Sequence, residues 1–199
     1  MNILTDRLPD GIVVAGREYP IRTDFQTWIR FELLALDDQM DMAGKVASML
    51  ELVFGAGKIP PTLQETMAAI QNFYAGAPES TEQAGAEKAA PHEAIYSFAH
   101  DADYIYSAFW AQYGIDLQTA KLHWWQFKAL FKSLGGENMI VKIMEYRSVN
   151  LAEIKDKGQK DFYRKMKRRY ALPKPENERE KLSQIEEALL NGGDLSGVL

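Results

Sequence analysis

Three short runs carry residue types able to do chemistry. His100-Asp101 pairs two metal-ligating side chains, as in metal-dependent hydrolases, and the remaining histidines are His92 and His123. Adjacent residues on a helix point about 100° apart, so a metal here would need ligands from other helices. A helix-surface or satisfied core pair is therefore the expectation. Gly55-Ala56-Gly57-Lys58 has the look of a phosphate loop. That motif, however, needs Gly where Leu52 stands and Ser or Thr where Ile59 stands, and Pro60-Pro61 prevents an immediate helix. It reads instead as a helix terminus. Asp37, Asp38 and Asp41 lack the spacing and the central Gly of a calcium loop, and fit a turn followed by a helix cap. No Ser or Thr lies in a nucleophile elbow, no carboxylate pair shares a predicted face, and Cys is absent. No catalytic residue, metal or cofactor is expected, and a role in binding rather than catalysis is the expectation.

Two further groups of residues suit binding. Between 155 and 170 eight Lys or Arg stand against two Asp, with Phe162, Tyr163 and Tyr170 interspersed. Such a helix can dock on phosphates or on a protein. The favoured reading is a solvated helix that buries Phe162, Met166 and Tyr170 at i, i+4 and i+8. The second group is aromatic: Trp28, Phe31, Trp110, Tyr113, Trp124, Trp125 and Phe127. Trp and Tyr serve both cores and interaction hot spots. Most of these belong in a core, and Trp28, Trp110, Trp124, Trp125 and Phe127 are the candidates for protein binding. Because Trp124 and Trp125 are adjacent on a helix, they should meet different neighbours.

The elements that position these residues are mainly helical. Ile12-Val13-Val14 and Tyr19-Pro20-Ile21 flank a turn over 15–18, in which Gly16 supplies a positive φ, and so predict a short N-terminal hairpin. Helices are predicted from a Thr23 or Asp24 cap to about 36, over 42–54, and from Pro60-Pro61-Thr62 to a stop at Gly76. In the second half an apolar stripe predicts a helix over 94–113. A central helix over 120–134, capped by Asp116 or Thr119, follows, and then a helix or extended segment over 138–148. Residues 77–91 hold no large apolar side chain and read as a flexible linker. Residues 176–190 are acidic, with Leu182, Ile185 and Leu189 on one face, and read as an amphipathic helix beyond Pro173 and Pro175. The expected fold is an irregular helical bundle with an N-terminal hairpin. Its sections are 1–76, the linker 77–91, an aromatic-rich core with the basic helix over 92–172, and the acidic end over 173–199.

At 199 residues, 46 % apolar and 26 % charged, the composition is that of a globular chain. The net charge of -5 gives no general attraction to nucleic acid. The absence of Cys suits a reducing cytoplasm, and Asp6, Arg7 and Asp10 interrupt any signal-peptide pattern. No apolar stretch approaches the ~20 residues of a membrane span.

Several strings resemble the phage gene-product-fifteen family. They are residues 2–9, residues 19–32 (Tyr-Pro-Ile-Arg-Thr-Asp-Phe-Gln-Thr-Trp-Ile-Arg-Phe-Glu), residues 102–109, Tyr113-Gly114-Ile115-Asp116-Leu117, and Leu122-His123-Trp124-Trp125-Gln126-Phe127. The resemblance extends from the start to about Tyr170. It implies a prophage tail-module protein similar to tail assembly chaperones, with the tape-measure protein and other tail proteins as partners, possible self-association, and the host bacterial cytoplasm as its place. A structural tail or baseplate component retained in the virion is the alternative. The resemblance brings no catalytic residues.

Overall fold

A computed structural model describes residues 2–76 and 94–173. The expected linker at 77–91 and the acidic segment at 176–190 lie outside the described residues, as does His92. The chain forms a mainly helical fold. A hairpin, β1 (Gly11–Val14) and β2 (Arg17–Pro20), leads into α1 (Phe25–Ala35), α2 (Met42–Phe54) and α3 (Leu63–Ala75). The second half supplies α4 (Ala102–Tyr113), α5 (Trp124–Lys132), α6 (Met139–Ser148) and α7 (Lys157–Arg169).

The hairpin is tighter than expected. Ala15 and Gly16 alone make the turn, at φ 50 and φ 75, so Arg17 and Glu18 belong to β2. Two consecutive positive φ values define the two-residue turn whose twist suits a hairpin. Alternation along β1 buries Ile12 and Val14, beside α3, and leaves Val13 64 % exposed.

Local caps place the first helices where the sequence predicts them. The Asp24 carboxylate accepts from the Thr27 amide at 2.9 Å and from its hydroxyl at 2.8 Å, and Asp41 accepts from the Gly44 amide. These bonds satisfy amides that have no partner in the first turn. At the other end of α2, Gly55 takes φ 56 with the Arg22 side chain packed on it. The glycine-lysine run is thus a helix C-terminus.

Two helices start later than periodicity predicts. The stripe over 94–113 becomes helical only at Ala102. The Asp101 carboxylate accepts from the Ser97 amide at 2.9 Å and Ser97 Oγ from the Ala99 amide at 3.2 Å, which draws these amides into turns. Likewise α5 begins at Trp124 rather than 120. The expected caps, Asp116 and Thr119, close a turn of their own: the Gln118 amide and the Thr119 hydroxyl both donate to the Asp116 carboxylate. His123 takes the N-cap instead. Its Nδ1 accepts from the Trp125 amide, and Gln126 Oε1 accepts from the His123 amide, which completes a capping box.

The caps of α1 and α5 are stitched together. The Trp124 amide donates to the Thr23 carbonyl at 2.7 Å and the Phe25 amide to the Leu122 carbonyl at 3.0 Å, so Asp24 and His123 form an antiparallel bridge. The two helices therefore leave one point side by side, and α5 occupies the centre as predicted. Phe127, fully buried, lies with its ring centroid 4.9 Å from Phe25, 5.0 Å from Phe109 and 5.8 Å from Trp124. One apolar cluster runs from Ile12 to Ile140 and draws on both sides of the 77–91 segment.

Candidate protein-interaction surface

The five aromatic candidates divide by burial. Trp28, Trp124 and Phe127 are core residues and are not presented to a partner. Trp28 is fully buried, and its indole donates to the Arg22 carbonyl at 2.9 Å. Trp124 and Trp125 meet different residues, Tyr74 and Phe73, but of one helix: both cap the C-terminus of α3. Trp124 Nε1 donates to the Tyr74 carbonyl at 2.9 Å and Trp125 Nε1 to the Phe73 carbonyl at 2.8 Å. Lys128, one turn on from Trp124, adds its ammonium to the Ala75 carbonyl at 2.6 Å and the Tyr74 carbonyl at 3.0 Å. The stacking of Trp124 on Tyr74 (5.4 Å) and the approach of Trp125 to Phe73 (5.4 Å) fix the rings that donate. Three donors thus satisfy the carbonyls a helix leaves open at its end, and the positive ammonium complements the negative end of its dipole. The signal was present as Trp-Trp-x-x-Lys, but its acceptors are backbone atoms some fifty positions away that no side-chain pattern marks.

A polar pair lies beside this clamp. The Tyr74 hydroxyl bonds the Glu32 carboxylate, with Lys128 nearby. Desolvation raises the Glu32 pKa despite these partners, and burial with the adjacent carboxylate raises that of Tyr74 as well. The neighbouring Tyr96 is pushed up to about 12, chiefly by burial.

His100 and Asp101 face different surroundings, and no group of three or more His, Asp or Glu among the described residues could hold a metal ion. His100 is exposed, while Asp101 is buried and bound to Arg147 through two contacts, Nη1–Oδ2 at 2.5 Å and Nη2–Oδ1 at 2.9 Å. Arg147 also donates to the Tyr170 carbonyl at 2.6 Å and the Ile95 carbonyl at 3.1 Å. One guanidinium therefore joins the start of α4, α6, the end of α7 and the segment before α4. Planar, five-donor geometry makes Arg the residue for such a node. Asp37 and Asp41 make the predicted turn and cap.

Of the five candidates, Trp110 is the one that stands out from the surface, 55 % exposed, while Trp125 is half-buried. Trp110 lies on α4 with Tyr104, Ser107 and Ala111, which are exposed beside it. Its ring stacks on Tyr106 (centroids 6.4 Å, planes 21° apart), and the Tyr106 hydroxyl is anchored to Asp116 at 3.1 Å. That bond raises the Tyr106 pKa, and the Gln118 amide, followed by the Tyr106 and Thr119 hydroxyls, lowers that of Asp116. The result is a large apolar ring presented to solvent on a braced platform, the arrangement by which one aromatic anchors a protein contact.

The basic helix α7 packs on α6 through Tyr163 and, at its C-cap, Tyr170, while Met166 is half-buried. Tyr146 is 5.9 Å from Tyr170, and the Tyr163 hydroxyl bonds Glu145 at 2.9 Å. Phe162 departs from the predicted buried face: it touches Tyr146 edge-on but remains 49 % exposed. One position along a helix turns the side chain by about 100°, and it is Tyr163 that faces α6.

Helices braced by buried aromatic and ionic nodes, with a supported aromatic on the outside, define a mainly helical fold. The family model described as Bacteriophage Gp15 protein matches residues 4–172, and the chain belongs to that family. No curated protein and no solved structure matches it. No helix among the described residues is long and apolar enough to cross a membrane.

Proposed function

We propose that this chain is a phage tail assembly protein that binds the tape-measure protein during tail morphogenesis in the host cytoplasm. Family membership supports a phage role, and the braced, exposed Trp110 on α4 is the observation that carries the binding reading. A long helical partner offers apolar side chains at i, i+3, i+4 and i+7, and a supported aromatic ridge suits them. Binding rather than catalysis is further supported by the residues first weighed for chemistry. Asp101, Asp37 and Asp41 are all spent on structure. A second reading, a structural component kept in the tail, draws support from the hairpin. Its two strands pair only with each other among the described residues, and the exposed Val13 would suit extension of a neighbour's sheet.

Co-expression with the tape-measure protein of the same phage tests the first reading. A soluble complex, with the tape measure insoluble alone, is expected. No association, together with stoichiometric amounts of this chain in purified particles by mass spectrometry, would overturn it in favour of the second.

A further inference from the structure

Helix α7 presents an apolar ring among cations. Phe162 is exposed, and Lys165 and Arg169, also exposed, follow it at i+3 and i+7, so ring and charges share one face with Arg168 beside them. Arg169 lies over the Tyr170 ring and Arg164 pairs with Asp161 at 2.5 Å, but no carboxylate among the described residues is within ion-pair distance of Lys165 or Arg168. The opposite side of α7 is occupied by α6. The turn between α1 and α2 has the complementary character. It holds Asp37, Asp38 and Asp41 between Leu36 and Met42, two exposed apolar side chains. Beside it lies an open hollow of about 370 Å³ lined by Arg30, Leu33, Leu34, Asp37 and Leu52. Lys45 reaches back to the Ala35 carbonyl at 3.3 Å, and no cation among the described residues is within ion-pair distance of Asp37, Asp38 or Asp41.

We propose that α7 of one copy docks on the α1–α2 turn of a second copy, with Phe162 seated in the hollow between Leu33 and Leu52 and with Lys165, Arg168 and Arg169 facing Asp37, Asp38 and Asp41. One contact then covers the ring and the leucines together and sets opposite charges around them, the pattern of an apolar anchor within a complementary polar rim. Nucleic acid would use the cations alone, leave the ring and the hollow uncovered, and meet a chain of net charge -5. The two patches lie on different elements, since α7 packs on α6 while α1 packs on α2 and α5. The contact is therefore head-to-tail, each copy offering a ring from one patch and a hollow from the other. Such a heterologous contact does not stop at two copies; it propagates into an open chain or closes into a ring. Each added copy brings its own Trp110, so a long partner would meet a row of them, but the self-contact does not depend on that partner.

Sedimentation velocity on the full chain tests this contact. At low salt the mean mass of the wild type should climb past that of a dimer as concentration rises, and added salt should weaken the association by screening the charges. Phe162→Ser removes the ring, and Leu33→Arg blocks the hollow with a charge that repels α7. Each alone should weaken self-association about 30-fold or more. Both positions are exposed, and circular dichroism checks that each variant keeps its helices. Mixed together, the two variants should form a one-to-one pair and nothing larger, because one intact ring and one intact hollow remain between them. That recovery separates the assigned contact from misfolding and from a symmetric contact of α7 with itself. A wild type that stays monomeric throughout the series overturns the proposal, as does an association that neither variant weakens. Association lost in both variants and not regained on mixing overturns it as well. A monomer held instead on a short DNA duplex at low salt hands the face of α7 to nucleic acid and overturns it too.

Discussion

His123 holds two backbone groups through one ring. Nδ1 accepts from the Trp125 amide at 3.1 Å, so the proton sits on Nε2, which donates to the Pro9 carbonyl at 3.0 Å. A second proton would have to enter Nδ1, against an N–H that already points there. Burial also pushes the His123 pKa below its ordinary value. A neutral native imidazole with a depressed pKa contributes stability that is full above the unfolded value of about 6.5 and is lost as pH falls through the folded value. Thermal midpoints should therefore drop between about pH 7.5 and pH 5.5. His123→Asn, which caps without titrating, should flatten that slope; an unchanged slope in the variant would contradict the assignment. Glu32 works in the opposite sense, since its raised pKa withdraws stability as pH rises through its folded value. The two are separated by measuring Glu32→Gln alongside. Also at this scale, Arg147→Met should cost about 3–5 kcal/mol in denaturant unfolding, because it leaves Asp101 buried without its counter-charge.

Among the elements, α1, α2 and α3 were legible because their signals are local. Asp24 and Asp41 cap within three residues, and Gly55 and Gly76 stop their helices at φ 56 and φ 98. The starts of α4 and α5 were not legible from periodicity, because local turns at 97–101 and 116–119 interrupt it and distant partners hold those turns in place. Asp101 is held by Arg147 and the α5 cap is tied to residues near Asp24, pairings that no window of sequence contains. The hairpin turn was read two residues too wide, since Ala15 does not advertise a positive φ. That mismatch yields a prediction. Ala15 at φ 50 is strained by about 1 kcal/mol, so Ala15→Asn, which favours this turn, should raise the unfolding midpoint. At the other end of the core, Trp125→Phe removes one donor from the α3 carbonyls and should destabilise by about 1 kcal/mol, with faster amide exchange in the last turn of α3.

Over the whole molecule, the sequence indicated a helical bundle with α5 at its centre, and it marked the aromatic residues as the set to watch. What it did not indicate was which aromatics face outward. Trp28, Trp124 and Phe127 have the same composition signal as Trp110, and only packing separates the core rings from the ring on α4. In the proposed function, this exposed ring anchors a tail-protein partner. The most direct test is the affinity of the purified chain for tape-measure segments, wild type against Trp110→Ala, with unfolding followed in parallel. Truncation of an exposed side chain should leave stability within about 0.5 kcal/mol, whereas loss of a hot spot of about 2 kcal/mol weakens binding roughly 30-fold. Weakened binding at unchanged stability is the predicted result; equal affinity of the two proteins would contradict the account.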